Sequence, residues 1–231
     1  MPRASAGDRR GLSRPLSTAP CGTFPFAAVS LFYKIAYRLG LTPWEAAATH
    51  PVASRQVAAC FDRVTVARGG PGRALDIGCG RGHWSVDLAR RGWQVTGVDN
   101  VPGALRQARQ RAASAGVSVR FSQADLTRLE AAMALGMFDF FWDFGALHGL
   151  SPGDLAAAAA GITALAGQGA VLVLLVWAPG RRGPLPRGLE DGELARAFPR
   201  WRIEGADPFD ATGLPPPLRR VAPRLVRLRL G

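Results

Sequence analysis

From residue 71 onward the chain alternates between two hydrophobic periods. Short, densely apolar runs fall at 74–79, 94–99, 119–123, 138–144 and 170–177. Runs of this length suit strands buried on both faces. Between them, at 83–91, 102–115 and 151–166, apolar residues recur every three or four positions, the mark of helices with one buried face. A shorter helical piece fits 126–134. The punctuation agrees. Gly92 and Gly116 follow two of the helices, Pro102 opens one, and Ser151-Pro152 gives another an N-cap and a first-turn proline. Repeated strand–helix units predict an α/β fold with a doubly wound, mostly parallel sheet covered on both faces. Farther on, a helix fits 189–198 and a strand 201–205, and residues 225–230 alternate Leu and Arg with the period of a strand that has one wet face. Read as closing strands of the same sheet, they predict seven strands with an antiparallel last strand.

Ahead of the break at Gly69-Gly70-Pro71-Gly72 the pattern is helical. Val57, Cys60, Phe61 and Val64 form one stripe, and an apolar, aromatic run at 27–39 is stopped by Gly40. The expected organisation is a disordered tail at 1–26, an N-terminal helical lid at 27–70 and a ligand-binding domain at 71–231. Residues 155–180 carry no charge and are long enough to span a bilayer. Gly161, Gly167 and Gly169 interrupt them, however, and only 171–177 is intensely apolar. We read a helix, a Gly-Gln-Gly turn and a buried strand there, with no membrane span.

Composition narrows the class. A 231-residue chain that is 48% hydrophobic is not a disordered one, and it can bury a core without staples. The 29 basic against 17 acidic residues give a net charge of +12, which raises nucleic acid as a partner. Yet every basic residue except Lys34 is arginine and the excess is spread along the chain. With abundant Ala, Gly and Pro, this fits the coding bias of a GC-rich bacterial genome better than a binding patch. Cys21, Cys60 and Cys79 are odd in number and widely spaced, so no metal site is expected and a reducing, cytoplasmic setting fits.

The chemistry concentrates at the ends of the predicted strands. Leu75-Asp76-Ile77-Gly78-Cys79-Gly80-Arg81-Gly82 closes the first strand and opens a helix. Glycines there let the backbone approach a ligand, and nucleotide-type ligands use such turns in doubly wound sheets. The dinucleotide pattern G-x-G-x-x-G fails in both possible registers, with His83 at the sixth position of one and Ser85 in the other. Instead Asp76 precedes the first glycine, where a carboxylate repels pyrophosphate and attracts a cation. The second strand ends in Asp99-Asn100, and an acid at that point suits a ribose diol. Asp125, after the third strand, suits an adenine amino group.

These residues resemble the class I S-adenosylmethionine-dependent methyltransferases, over roughly 72–177. The resemblance implies S-adenosylmethionine as cofactor, with Asp76, Gly78, Cys79 and Gly80 around its methionine part, Asp99 and Asn100 at the ribose, Asp125 at the adenine, and Asp143 beside them. Residues 37–50, with Thr42-Pro43-Trp44-Glu45, and residues 140–150 look more narrowly like small bacterial methyltransferases of the tellurite, thiopurine and mycobacterial O-methyltransferase type. That likeness implies a small acceptor, methylated on the oxygen of a phenol, hydroxyquinone or carboxylate, with Trp44, Phe144 and His148 at the acceptor. His148 is the candidate catalytic base, its reference pKa near 6.5 suiting neutral pH. His50 and His83 read as local structure, and Cys79 as a small residue at a crowded turn. Two rivals stand beside this reading: a methyltransferase of protein or RNA, and a non-catalytic protein that binds S-adenosylmethionine. The absence of an Asp-Pro-Pro-Tyr or Asn-Pro-Pro-Tyr after the fourth strand argues against nucleobase amino groups.

Overall fold

The computed structural model describes residues 49–129, 136–180, 186–213 and 221–231, with Ile35 and Thr42 besides. All of the expected tail and nearly all of the front of the expected lid, Trp44 included, lie outside them. The described elements run α1 (Pro51–Arg68), β1 (Arg73–Ile77), α2 (His83–Arg90), β2 (Gln94–Asp99), α3 (Pro102–Ser114), β3 (Arg120–Gln123), β4 (Phe138–Asp143), α4 (Pro152–Ala164), β5 (Ala166–Val176), α5 (Asp191–Ala197), β6 (Trp201–Pro208) and β7 (Arg224–Leu230). The sheet order is β3-β2-β1-β4-β5-β7-β6. Neighbours from β3 to β5 are parallel, whereas β7 runs antiparallel to both β5 and β6. The seven-stranded fold with an antiparallel last strand is therefore present as the periodicity suggests.

This order creates a switch point. From β1 the chain builds outward through β2 and β3, then returns to lay β4 on the other side of β1. Connections on the two sides diverge there, leaving a crevice at the carboxyl ends of β1 and β4.

Both faces of the sheet are buried. Leu75, Ile77, Phe141, Leu172 and Leu174 pack on one face with Leu155, Ala158, Ala159 and Ile162 of α4. Phe140, Trp142, Val171 and Val173 pack on the other with Val57, Cys60, Phe61 and Val64 of α1 and with Trp84 and Leu88 of α2. The stripe on α1 is thus a core face. This helix packs on the sheet, so the break at 69–72 divides one folded unit. Its ends are closed locally: His50 Nδ1 accepts from the Val52 N–H at 3.3 Å, and Gly69 (φ 84°) ends the helix in the left-handed conformation.

One boundary differs from expectation. Gly167-Gln168-Gly169 is part of β5 and not a turn before it. Phe138 pairs with Ala166 but Phe140 with Val171, so β5 advances five residues while β4 advances two. Gly169, at φ 69°, lets the excess bulge out of the ladder without ending it. The helical piece expected at 126–134 is a 3₁₀ segment at 126–129, and the remainder up to residue 135 lies outside the described residues. Among the described residues no helix is long and apolar enough to cross a membrane.

Phe61 is completely buried and meets Trp142 at 4.8 Å between ring centroids, edge to face. Phe61→Ala should lower the unfolding free energy by about 3–5 kcal/mol, the usual cost of emptying an aromatic core site. Urea unfolding will check this as a lower midpoint at unchanged slope. A loss below about 1 kcal/mol would place α1 outside the core.

Candidate functional site

The crevice is built on the glycine turn. Gly78, Gly80 and Gly82 all take positive φ, at 65°, 52° and 72°. Space makes a second demand at two of them. A Cβ on Gly78 would stand 2.5 Å from Ala146 Cβ, and one on Gly82 would stand 2.9 Å from Ala108 Cβ and 3.0 Å from Phe121 Cζ. The first contact presses the turn after β1 against the turn after β4; the second seats α3 and β3 behind it. Gly82 N–H closes the turn on Cys79 O at 2.8 Å, and Cys79 N–H ties it to Val98 O of β2 at 2.9 Å. Cys79 itself is buried at a crowded spot, its Sγ 3.0 Å from where a Cβ on Gly97 would lie.

Each acid that the sequence brings to this edge accepts hydrogen bonds from nearby groups of its own chain. Asp99 Oδ2 accepts from Gly80 N–H at 2.9 Å and Oδ1 from Val101 N–H at 2.8 Å, which joins the end of β2 to the glycine turn. Asp125 Oδ1 accepts from the N–H of Thr127 at 2.9 Å and from its hydroxyl at 2.7 Å. Both residues are half-buried, and so is Asn100. A carboxylate offers about four lone-pair sites, so Asp99 and Asp125 can serve the backbone and a ligand together.

Asp76 and Asp143 differ from them. Asp76 is 2% exposed and accepts from the Ser85 hydroxyl, which holds α2 to β1 from behind the turn. Asp143 is wholly buried and accepts from the N–H groups of Gly145, Ala146 and Leu147 at 3.3, 2.9 and 3.1 Å. Burial pushes its carboxyl up to about 7, opposed by those three backbone donors and reinforced by the charge of Asp76. Asp143 therefore lies beneath the turn that it organises through the backbone of residues 145–147.

His148 sits in the next turn, 2% exposed. Its Nδ1 accepts from Trp177 N–H at 3.1 Å, with the two rings 4.8 Å apart. A backbone N–H can only donate, so Nδ1 carries the lone pair and the neutral ring bears its proton on Nε2. A general base would need a free lone pair, and in this arrangement neither ring nitrogen has one. His50 is the N-cap of α1, and His83 stacks edge-on against Trp84 at 4.4 Å. Phe144 is half-buried at the mouth of an aromatic cluster, 5.2 Å from Trp84, 5.8 Å from Trp142 and 5.7 Å from Phe209. Of the expected acceptor residues the structure thus brings Phe144 and His148 to the edge after β4, and Trp44 lies outside the described residues.

Sequence reasoning missed Ser85, Trp84 and Phe209. Ser85 stands nine residues from its partner Asp76, and Phe209 sits 65 residues from Phe144; neither spacing is a motif. Trp84 was legible only as an apolar helix position.

Residues 74–169 match a family model described as a methyltransferase domain. The chain is 30% identical over 160 residues to the ubiquinone biosynthesis O-methyltransferase of Methylocella silvestris, covering 62% of this chain and 60% of that one. Among solved structures, the 1,6-didemethyltoxoflavin-N1-methyltransferase of Burkholderia thailandensis, bound to 1,6-didemethyltoxoflavin and S-adenosylhomocysteine, is similar with a TM-score of 0.69 and 23% identity over 92% of both chains. A structure solved for the conversion of a disulfide bond into a thioacetal group during echinomycin biosynthesis is similar with a TM-score of 0.66 and 27% identity, over 87% of this chain and 92% of that one. The chain spans less than a third of the length of several curated methyltransferases that it matches over 56–76 residues.

The state of Asp143 can be read from stability. Its folded carboxyl titrates near 7 against an ordinary 3.8, so over the interval between them the folded chain holds a proton that the unfolded chain has lost. Its favourable contribution is then full below about pH 4 and is lost as pH rises through about 7. In urea unfolding, the stability of the parent relative to Asp143→Asn should fall across that window and level off above it. A difference that does not change with pH would mean that the buried carboxylate stays charged throughout.

Proposed function

From the premise that the chain carries a class I S-adenosylmethionine-dependent methyltransferase domain, we propose that it moves a methyl group from S-adenosylmethionine to a small-molecule acceptor. One observation carries this reading. Beyond the strand ends lies a glycine turn flanked by two half-buried carboxylates, Asp99 and Asp125. Such an edge suits a ligand that offers donors and positive charge. A ribose diol, an adenine amino group and a sulfonium have that chemistry, and a pyrophosphate does not.

In this reading Gly78, Cys79 and Gly80 hold the methionine part through their backbone, Asp99 with Asn100 holds the ribose hydroxyls, and Asp125 lies toward the adenine. When bound, S-adenosylmethionine supplies a methyl carbon on a sulfonium; the acceptor forms a bond to that carbon, the carbon–sulfur bond breaks, and neutral S-adenosylhomocysteine remains. The protein contributes orientation and exclusion of water. Asp143 keeps residues 145–147 in place against Gly78, and His148 is held to the end of β5 by the Trp177 N–H on its Nδ1. An acceptor that is already ionised at neutral pH needs no base. This favours transfer to oxygen, on an acidic phenol, hydroxyquinone or carboxylate, in keeping with the O-methyltransferase of Methylocella silvestris among the relatives. No nucleic-acid partner and no membrane is needed, and a cytoplasmic setting suits the free thiols of Cys60 and Cys79.

Calorimetric titration tests the cofactor assignment. S-adenosylmethionine should bind and NADH should give no heat. Asp99→Ala should weaken S-adenosylmethionine by about 1.5–3 kcal/mol, as expected for lost hydrogen bonds to a charged group. A chain that binds NADH and not S-adenosylmethionine contradicts the reading.

A further inference from the structure

The alternation of Leu and Arg along β7 gives that strand two different faces. Val226, Leu228 and Leu230 pack in the core with α4. Leu225 faces the other way, into the core that α1 covers. Arg227 and Arg229 share that second face by the two-residue period of a strand. They lie where the cover ends, and a cavity of about 650 Å³ opens beside them. Its other walls are the last two turns of α1, Asp139 at the start of β4, residues 168–171 of β5 and Glu204 of β6. The cavity thus lies at the amino ends of the parallel strands. The crevice at the glycine turn lies at their carboxyl ends, on the opposite edge of the sheet.

Arginines far apart in sequence meet here. Arg63 pairs with Asp207 at 3.1 Å and Arg68 with Asp139 at 2.9 Å. Glu204 serves three guanidiniums: Arg229 at 2.7 Å, Arg202 at 3.2 Å and Arg227 at 3.5 Å. Hydrogen bonding from Arg229 holds the Glu204 carboxyl below its usual range, in spite of burial. Among the described residues, five guanidiniums thus meet three carboxylates, which leaves two positive charges over. Arg63 and Arg227 also flank buried Cys60, whose thiol burial pushes up to about 11 against the pull of both charges. Arg227 and Arg229 are half-buried, so water screens the excess less than on an open surface.

The sheet is bent to make this arrangement. Among the described strands its register shifts at two places, and both border the cavity. On β5 the ladder with β4 skips from Ala166 to Val171. On β6 the ladder with β7 skips from Ile203 to Gly205, and the extra residue is Glu204. Such bulges re-aim side chains and are over-represented beside functional sites. Arg229 is fixed between the two: it donates to Gly169 O of the first at 3.2 Å and to the Glu204 carboxylate of the second at 2.7 Å. Val64, Ala67, Ala170 and Val171 give the cavity an apolar floor.

The complementary ligand has a compact head of about two negative charges and an organic body. A phosphate monoester carries about −1.5 to −2 at neutral pH, with oxygens for several guanidinium donors. The cavity has the size of a small-molecule site and exceeds what a bare phosphate ion fills. We propose that this cleft binds a small organic phosphate monoester, with its phosphate on Arg63, Arg227 and Arg229 and its carbon body on the apolar floor. The cleft is independent of the methyl-transfer reading, because its ligand and S-adenosylmethionine would occupy opposite edges of the sheet.

Calorimetric titration of the full chain at physiological ionic strength tests this. The probes are ribose 5-phosphate, phenyl phosphate, phenyl sulfate, inorganic phosphate and a short single-stranded RNA. The two phosphate esters separate a polyol body from an apolar one. At least one of them should bind at least about tenfold more tightly than inorganic phosphate, and than phenyl sulfate with its single charge. Arg227→Gln and Arg63→Gln should each weaken that ester at least about tenfold, with S-adenosylmethionine affinity within twofold of the parent. Arg63 is exposed on α1, so its variant reads binding even where Arg227→Gln lowers the melting temperature. Arg90→Gln removes the same charge from an exposed position on α2 and should leave ester affinity within twofold. No saturable heat from either ester overturns the proposal. So does an unchanged affinity in Arg227→Gln and Arg63→Gln, or an equal loss in all three variants, which marks general charge attraction. Competition between the ester and S-adenosylhomocysteine, or displacement of the ester by the RNA at lower concentration, overturns it too. None of these outcomes touches the methyl-transfer reading, which stands or falls on S-adenosylmethionine binding itself.

Discussion

The site depends on aspartates that accept main-chain N–H groups. Asp99 holds Gly80 and Val101, Asp125 holds Thr127, and Asp143 holds Gly145, Ala146 and Leu147. These bonds set the shape of the turns after β2, β3 and β4. The close approach of Gly78 to Ala146 then locks the turn after β1 to the turn after β4 across the switch point. These links lie within the chain itself, so the edge is shaped before any ligand arrives. The cost is concentrated at Asp143, whose fully buried charge is opposed by desolvation and by the neighbouring Asp76.

Much of this was legible in the sequence, for local reasons. A strand, a glycine turn and a helix are specified within about a dozen residues, and β2 was read with its observed limits, Gln94–Asp99. The acids at the strand ends were legible as positions but not as roles. Nothing in the sequence around Asp143 says that three N–H groups will converge on its carboxylate, because that depends on how residues 144–147 turn. The orientation of His148 was hidden for a different reason: its partner is a backbone N–H at the end of β5, 29 residues away. Gly167-Gln168-Gly169 carries the composition of a turn, and only the pairing of β5 with β4 makes it a bulge. The unpaired indoles of Trp84 and Trp142 were invisible, since apolar periodicity sees a tryptophan ring and not its N–H.

The two halves of the edge differ in chemical sense. Around the glycine turn the half-buried groups are acceptors, Asp99 and Asp125. Around Phe144 the unpaired groups are donors, Gln56, Trp84 and Trp142. A cationic, hydroxyl-bearing ligand would meet its complement on the first side. Methyl transfer from sulfonium to an oxyanion brings together reactants of opposite charge, and their charges cancel as the bond forms. In a crevice with little water such cancellation is favoured more strongly than in bulk solvent.

The central claim is turnover. The full-length protein can be incubated with methyl-labelled S-adenosylmethionine and a panel of acidic phenols, hydroxyquinones and aromatic carboxylates, with S-adenosylhomocysteine and labelled products followed by mass spectrometry. The account predicts acceptor-dependent release of S-adenosylhomocysteine, with the label on an oxygen of a planar acceptor. Binding of S-adenosylmethionine without transfer to any small acceptor, or transfer to RNA or protein alone, would contradict it.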